Sequence, residues 1–183
     1  PPWRNHVLLL LTIASTLLAG AFQSLPASVQ VSSPADLASA LLRHWQLGIP
    51  FTAALLGILG IHELGHYFAA RHHGLDVTLP YFIPFPLGPF GTMGAFIQMK
   101  EPPKNKRILL DIGIAGPIAG LVVAIPVLLL GLWLSPLDTI QLTASPCVPQ
   151  SEAGLLLEGN SLLYLFSTFA VTGQLLPAPA SYG

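Results

Sequence analysis

The segment from Ile49 to Ala70 restricts what this chain can become more than any other. Ile49 to Ile61 holds no charged residue, and the run then admits His62, Glu63 and His66 before it reaches Arg71. About 20 apolar residues cross a bilayer as a helix, because a helix satisfies its own backbone groups where no water can. A membrane helix is therefore predicted over residues 49–70. Ionisable groups inside such a helix are costly unless they are paired or bind a metal, so the cluster marks a functional candidate.

His62 and His66 stand four residues apart, which sets both imidazoles on one helical face. The pattern is H-E-x-x-H. Two imidazoles placed this way suit one Zn²⁺ and leave positions for a third ligand and a water. Bound zinc moves the pKa of that water from about 16 towards about 7. Glu63, beside the first histidine, is placed to take the proton. The candidate metal ligands are thus His62 and His66, and the candidate catalytic residue is Glu63. Two histidines packed in a core by chance would leave the same letters, but the apolar surroundings weigh against that. Other divalent metals also accept two imidazoles and a carboxylate.

The whole chain supports a membrane setting. Of its 183 residues, 52% are hydrophobic and 8% charged, against about 25% charged in a soluble domain. A net charge of −1 offers no basic footprint for nucleic acid. The single cysteine, Cys147, excludes an internal disulfide framework and a cysteine-rich metal site. The 18 prolines and 17 glycines crowd the apolar runs, which suits re-entrant elements shielded by protein or by a water-filled cavity.

Five further elements are expected. Val7 to Phe22 reads as a first span. Ala19-Gly20-Ala21 also has the small-x-small form of a signal-peptide cleavage site, while the absence of an initiator Met favours a retained helix inside a piece cut at both ends. Pro34 to Trp45 reads as an interfacial helix with an aromatic anchor. Residues 76–99 have no helical period. Thr78 to Ile83 and Ala95 to Met99 are strand-like around a proline- and glycine-rich centre, so a re-entrant hairpin is predicted whose free edge must face protein, water or a peptide. Ile108 to Leu134 reads as another span, with Gly113, Gly116 and Gly120 spaced for close approach by a neighbouring helix. Asp111, near its start, pairs at the interface or serves as a further metal ligand. His72 and His73 are expected to be solvated. Residues 135–159 form a polar connection, and 162–176 a short apolar helix.

Arg4, Arg71, Lys100, Lys104, Lys106 and Arg107 fall on one side of these spans and Arg43 on the other. That asymmetry turns the active-site end of residues 49–70 towards the cytoplasm. The fold class predicted is an all-α polytopic membrane protein of three to four spans, with a strand-like hairpin between the second and third. An integral protein of the bacterial plasma membrane is the expected location. A zinc-holding scaffold and a metal transporter are the competing functions. A scaffold has no need of Glu63, and a transporter would want polar residues on several spans, of which the first and third show almost none.

Three stretches resemble the site-2 protease family of intramembrane zinc metalloproteases. His62-Glu63-Leu64-Gly65-His66 looks like its H-E-x-G-H signature, Gly88 to Ile97 its loop after the catalytic helix, and Gly116-Pro117-Ile118-Ala119-Gly120 its small-residue motif. The order is the family's, over roughly residues 50 to 135. The resemblance implies hydrolysis of peptide bonds in transmembrane protein substrates, Zn²⁺ at His62 and His66, Glu63 as base, and a substrate strand laid along Gly91, Thr92, Met93, Gly94, Ala95 and Phe96. The family's third ligand is an Asp in a later L-D-G motif, which these residues do not contain. The 183 residues then read as one transmembrane metalloprotease domain whose third ligand lies beyond residue 183.

Overall fold

The computed structural model describes residues 3–26, 28–134 and 161–173. The connection expected over 135–159 and the end of the 162–176 segment lie outside them. The chain divides into two units, Pro1–Ile125 and Pro126–Gly183. The described structure is mostly helical with one small antiparallel sheet. Three helical stretches, Trp3–Gln23, Trp45–His72 and Lys106–Leu134, are long and apolar enough to cross a membrane.

Helix α1 covers Trp3–Gln23. It starts before the apolar run because Asn5, though polar, is turned inward and buried. Thr12, Ser15, Thr16 and Gly20 continue that buried face. Thr12 and Thr16 donate back to the carbonyls of Leu8 and Thr12, both at 2.8 Å, which satisfies hydroxyls that would otherwise be stranded in an apolar setting. The first span is thus more polar on its inner face than the apolar run implied.

Helix α2, Pro34–Arg43, opens under a Ser33 cap whose hydroxyl accepts from the Asp36 amide at 3.2 Å. A 3-10 turn, Trp45–Gly48, leads into helix α3, Ile49–His72. Glycines make the crossing of α1 with the start of α3. A Cβ on Gly20 would stand 2.8 Å from the Phe51 Cβ, and one on Gly48 would run into the Leu17 carbonyl. At its far end α3 stops on Gly74, φ +75°. The Leu75 amide donates to the Ala70 carbonyl and the Gly74 amide to that of Arg71, both at 3.0 Å. This is the Schellman arrangement with its apolar closure, since Ala70 and Leu75 are buried together with Ile112.

Strands β1 (Tyr81–Pro84) and β2 (Thr92–Phe96) pair antiparallel, with Tyr81 opposite Phe96 and a bulge between Ile83 and Pro84. The strands are shorter than the strand-like runs read from sequence. Prolines at 80, 84, 86 and 89 remove ladder donors. A bridge between Val77 and Met99 resumes the pairing near the base.

The hairpin hangs on α1. The Asn5 amide donates to the carbonyls of Leu79 (3.0 Å) and Pro80 (3.1 Å), the Ser15 hydroxyl to that of Gly91 (2.5 Å), and the Gln23 amide to that of Pro89 (2.9 Å). Asn5 and Gln23 lie about 27 Å apart along a helix rising about 1.5 Å per residue. The hairpin therefore accompanies α1 over nearly the thickness of a hydrocarbon core, about 30 Å.

Helix α4, Lys106–Leu134, starts where the Asn105 side chain accepts from the Ile108 amide at 2.9 Å. Its buried residues are Ile112, Gly116 and Gly120, one stripe at four-residue spacing, while Leu110, Ile118 and Trp133 are exposed. Helix α5, Leu162–Thr172, is capped by Ser161 and closed by Gly173 at φ +70°.

Candidate metal centre

His62 and His66 meet as the helical spacing requires. Their Nε2 atoms are 3.1 Å apart and the rings stand edge to face. The His66 Nδ1 lies 2.6 Å from the Ile112 carbonyl oxygen of α4. A carbonyl only accepts, so Nδ1 carries the proton and Nε2 presents its lone pair. The opening between the two Nε2 atoms suits a metal: two Zn–N bonds of about 2.05 Å that span this gap subtend about 98°, close to tetrahedral. A metal-bound histidine that donates its other N–H to a backbone carbonyl is the usual outer-shell arrangement. The donor set fits zinc as far as it goes. Among the described residues no three His, Cys, Asp or Glu side chains gather into one cluster.

Glu63 is buried, 6% exposed, one residue from His62 on the same helix. Asp111 does not join the histidine pair. Its Oδ2 lies 3.1 Å from the Nε2 of His73, and its side chain is 57% exposed. His73, read from sequence as solvated, is instead tied to α4 through this contact. The signal was there in outline: Gly74 stops α3 just past His73, where the start of α4 crosses it.

Helix α4 reaches the histidines because it carries glycine there. A Cβ on Gly65 would stand 2.6 Å from the Ala115 carbonyl oxygen, so the two backbones come close at that point. A Cβ on Gly116 would occupy the place of the His66 imidazole, and one on Gly120 would stand 3.2 Å from the Nδ1 of His62.

Of the residues expected to hold a substrate strand, Gly91 and Thr92 are buried and already engaged. Gly91 has φ +72°, its carbonyl accepts from Ser15 and from the Phe85 amide, and a Cβ there would meet the α1 backbone. The Thr92 hydroxyl donates to the Ile83 carbonyl at 2.8 Å and accepts from the Gly94 amide at 3.0 Å. Met93 and Phe96 are exposed, while Gly94 and Ala95 are half-buried. Sequence reasoning missed Asn5, Ser15 and Gln23, because polar residues scattered along an apolar helix carry no motif.

The site is thus an apolar helix holding a histidine pair and a buried glutamate, backed by a second glycine-faced helix. The chain matches Peptidase family M50 over residues 50–176 and belongs to that family. With three helices fit to span a bilayer, it is an integral membrane protein. It is 37% identical over 109 residues to the Oryza sativa subsp. indica protein named "Probable zinc metalloprotease EGY2, chloroplastic", a match covering 59% of this chain and 19% of that protein. It is 34% identical over 140 residues to the Arabidopsis thaliana protein named "Probable zinc metalloprotease EGY1, chloroplastic", covering 70% of this chain and 25% of the relative. The chain thus spans about a fifth to a quarter of the length of these relatives. No solved structure matches it.

Proposed function

We infer that this chain is the metal-binding part of an intramembrane zinc metalloprotease that hydrolyses peptide bonds in transmembrane protein substrates. The observation that carries the reading is the His62–His66 pair, with Nε2 atoms 3.1 Å apart and the His66 tautomer set by the Ile112 carbonyl. Membership of Peptidase family M50 supports it. His62 and His66 hold the zinc. Bound zinc supplies Lewis-acid polarisation of the scissile carbonyl and acidifies the attacking water. Glu63 takes the proton of that water and delivers it to the leaving amine. Its burial fixes the carboxylate beside His62 instead of leaving it to roam.

A substrate helix hides its carbonyls in its own hydrogen bonds, so it must unwind before attack. The sheet offers a place to lay the unwound strand. The α1 hydrogen bonds fall on Leu79 and Pro80 before β1 and on Pro89 and Gly91 before β2, so the contact residues left for a substrate are Met93, Gly94, Ala95 and Phe96 of β2. Gly91 and Thr92 hold the shape of that strand. The basic residues at Arg71 and between Lys100 and Arg107 argue for a metal end turned to the cytoplasm of a bacterial plasma membrane, or to the equivalent face of a plastid membrane, the relatives being named chloroplastic.

The test replaces Glu63 with Gln in the full-length protein. Zinc content should stay stoichiometric, while cleavage of a membrane-tethered reporter falls by at least about 100-fold, the lower range for a general base. Cleavage at the unaltered rate would remove Glu63 from the reaction.

A further inference from the structure

Nothing in the spacing of His62 and His66 decides how the two rings point. A histidine on an apolar helix has several staggered rotamers and two neutral tautomers. For His66 both choices are made by helix α4. The carbonyl that accepts from His66 belongs to Ile112, one turn before Gly116. Side chains on a helix lean towards its N-terminus and cover the turn that precedes their own Cα. A side chain at position 116 would therefore lie over the Ile112 carbonyl, where the His66 ring now stands, and the built Cβ falls on that ring. One turn further on, Gly120 lies under His62, with a built Cβ 3.2 Å from its Nδ1 and 3.3 Å from its Cβ. These three residues are the buried stripe of α4.

We propose that Gly116, seconded by Gly120, is a positioning residue for the metal. By lacking a side chain it uncovers the Ile112 carbonyl and leaves the slot in which His66 is held with its Nε2 lone pair towards His62. The inference rests on the reading of His62 and His66 as metal ligands and assigns the preorganisation of that pair to another helix. Losing an outer-shell partner of a metal-bound histidine typically weakens metal binding by about 10- to 100-fold, and Gly116→Ala removes both the hydrogen bond and the slot.

Gly113 provides the internal control. It lies on the same helix, and nothing stands within 4 Å of a Cβ built there. The experiment titrates Co²⁺ into the apo form of the full-length protein in detergent, reading the visible absorption of the bound ion against a competing chelator. Gly116→Ala is expected to weaken binding by at least about 10-fold, Gly120→Ala by less, and Gly113→Ala not at all. Should Gly116→Ala fail to fold, the ordering of Gly120→Ala against Gly113→Ala decides, since the 3.2 Å contact still separates them. Equal affinities across the folded variants would overturn the proposal and leave the metalloprotease reading standing. Failure of the unaltered protein to bind Co²⁺ would overturn the metal-centre reading and this proposal with it.

Discussion

Removing the grip of α1 on the hairpin should loosen the hairpin alone. The perturbation is Asn5→Leu combined with Ser15→Ala, which deletes three hydrogen bonds to the carbonyls of Leu79, Pro80 and Gly91. Side-chain hydrogen bonds within membrane proteins average about 0.6 kcal/mol, and a well-made bond to a buried carbonyl reaches about 1.5 kcal/mol. Three such bonds are worth about 2–4 kcal/mol, which at about 1.4 kcal/mol per decade raises the population of a detached hairpin about 30- to 700-fold. Hydrogen–deuterium exchange in detergent reads that population directly when opening is a local equilibrium. The amides of Thr78 and Phe85, bonded to the carbonyls of Gln98 and Gly91, should exchange faster by that factor. Amides in the middle of α3 should be unchanged. Hairpin exchange that stays at its original rate would refute the reasoning and show that the sheet's own ladder holds the element in place.

Two other substitutions probe the frame around the site. Gly48→Ala drives a Cβ into the Leu17 carbonyl and should cost about 1–3 kcal/mol of thermal stability as overpacking, whereas Gly57→Ala, open on all sides, should be neutral; equal melting temperatures would mean that α1 and α3 do not cross there. Asp111→Asn breaks an exposed pair with His73 worth no more than about 1 kcal/mol, and metal analysis should find the zinc content unaltered; a loss of zinc would make Asp111 the third ligand.

Much of the site was legible because its chemistry is local. His62, Glu63 and His66 belong to a single helix, so a spacing of four residues already places the two imidazoles together. The end of α3 at Gly74, φ +75°, is equally local, since a left-handed residue closes a helix in that way. The hairpin was readable in kind, because prolines and glycines forbid a helix, but not in extent. Its length along α1 depends on Asn5, Ser15 and Gln23, which lie dozens of residues away. Asp111 was readable only as a choice between an interface pair and a metal ligand, and His73, on another helix, is the group its carboxylate meets.

The amino acids in order settled that this chain enters a membrane, that it bears a histidine pair on one helical face, and that a non-helical insert follows. Those outcomes depend on hydrophobicity and on helical period, which are properties of neighbours in sequence. Tertiary structure decided the rest: which tautomer His66 adopts, which carbonyls of the hairpin α1 holds, and which group Asp111 meets. Each of these requires a group from a second helix, and helix packing depends on where backbones can approach. Gly65 and Gly116 permit that approach, yet a glycine in a sequence does not say which neighbour it admits.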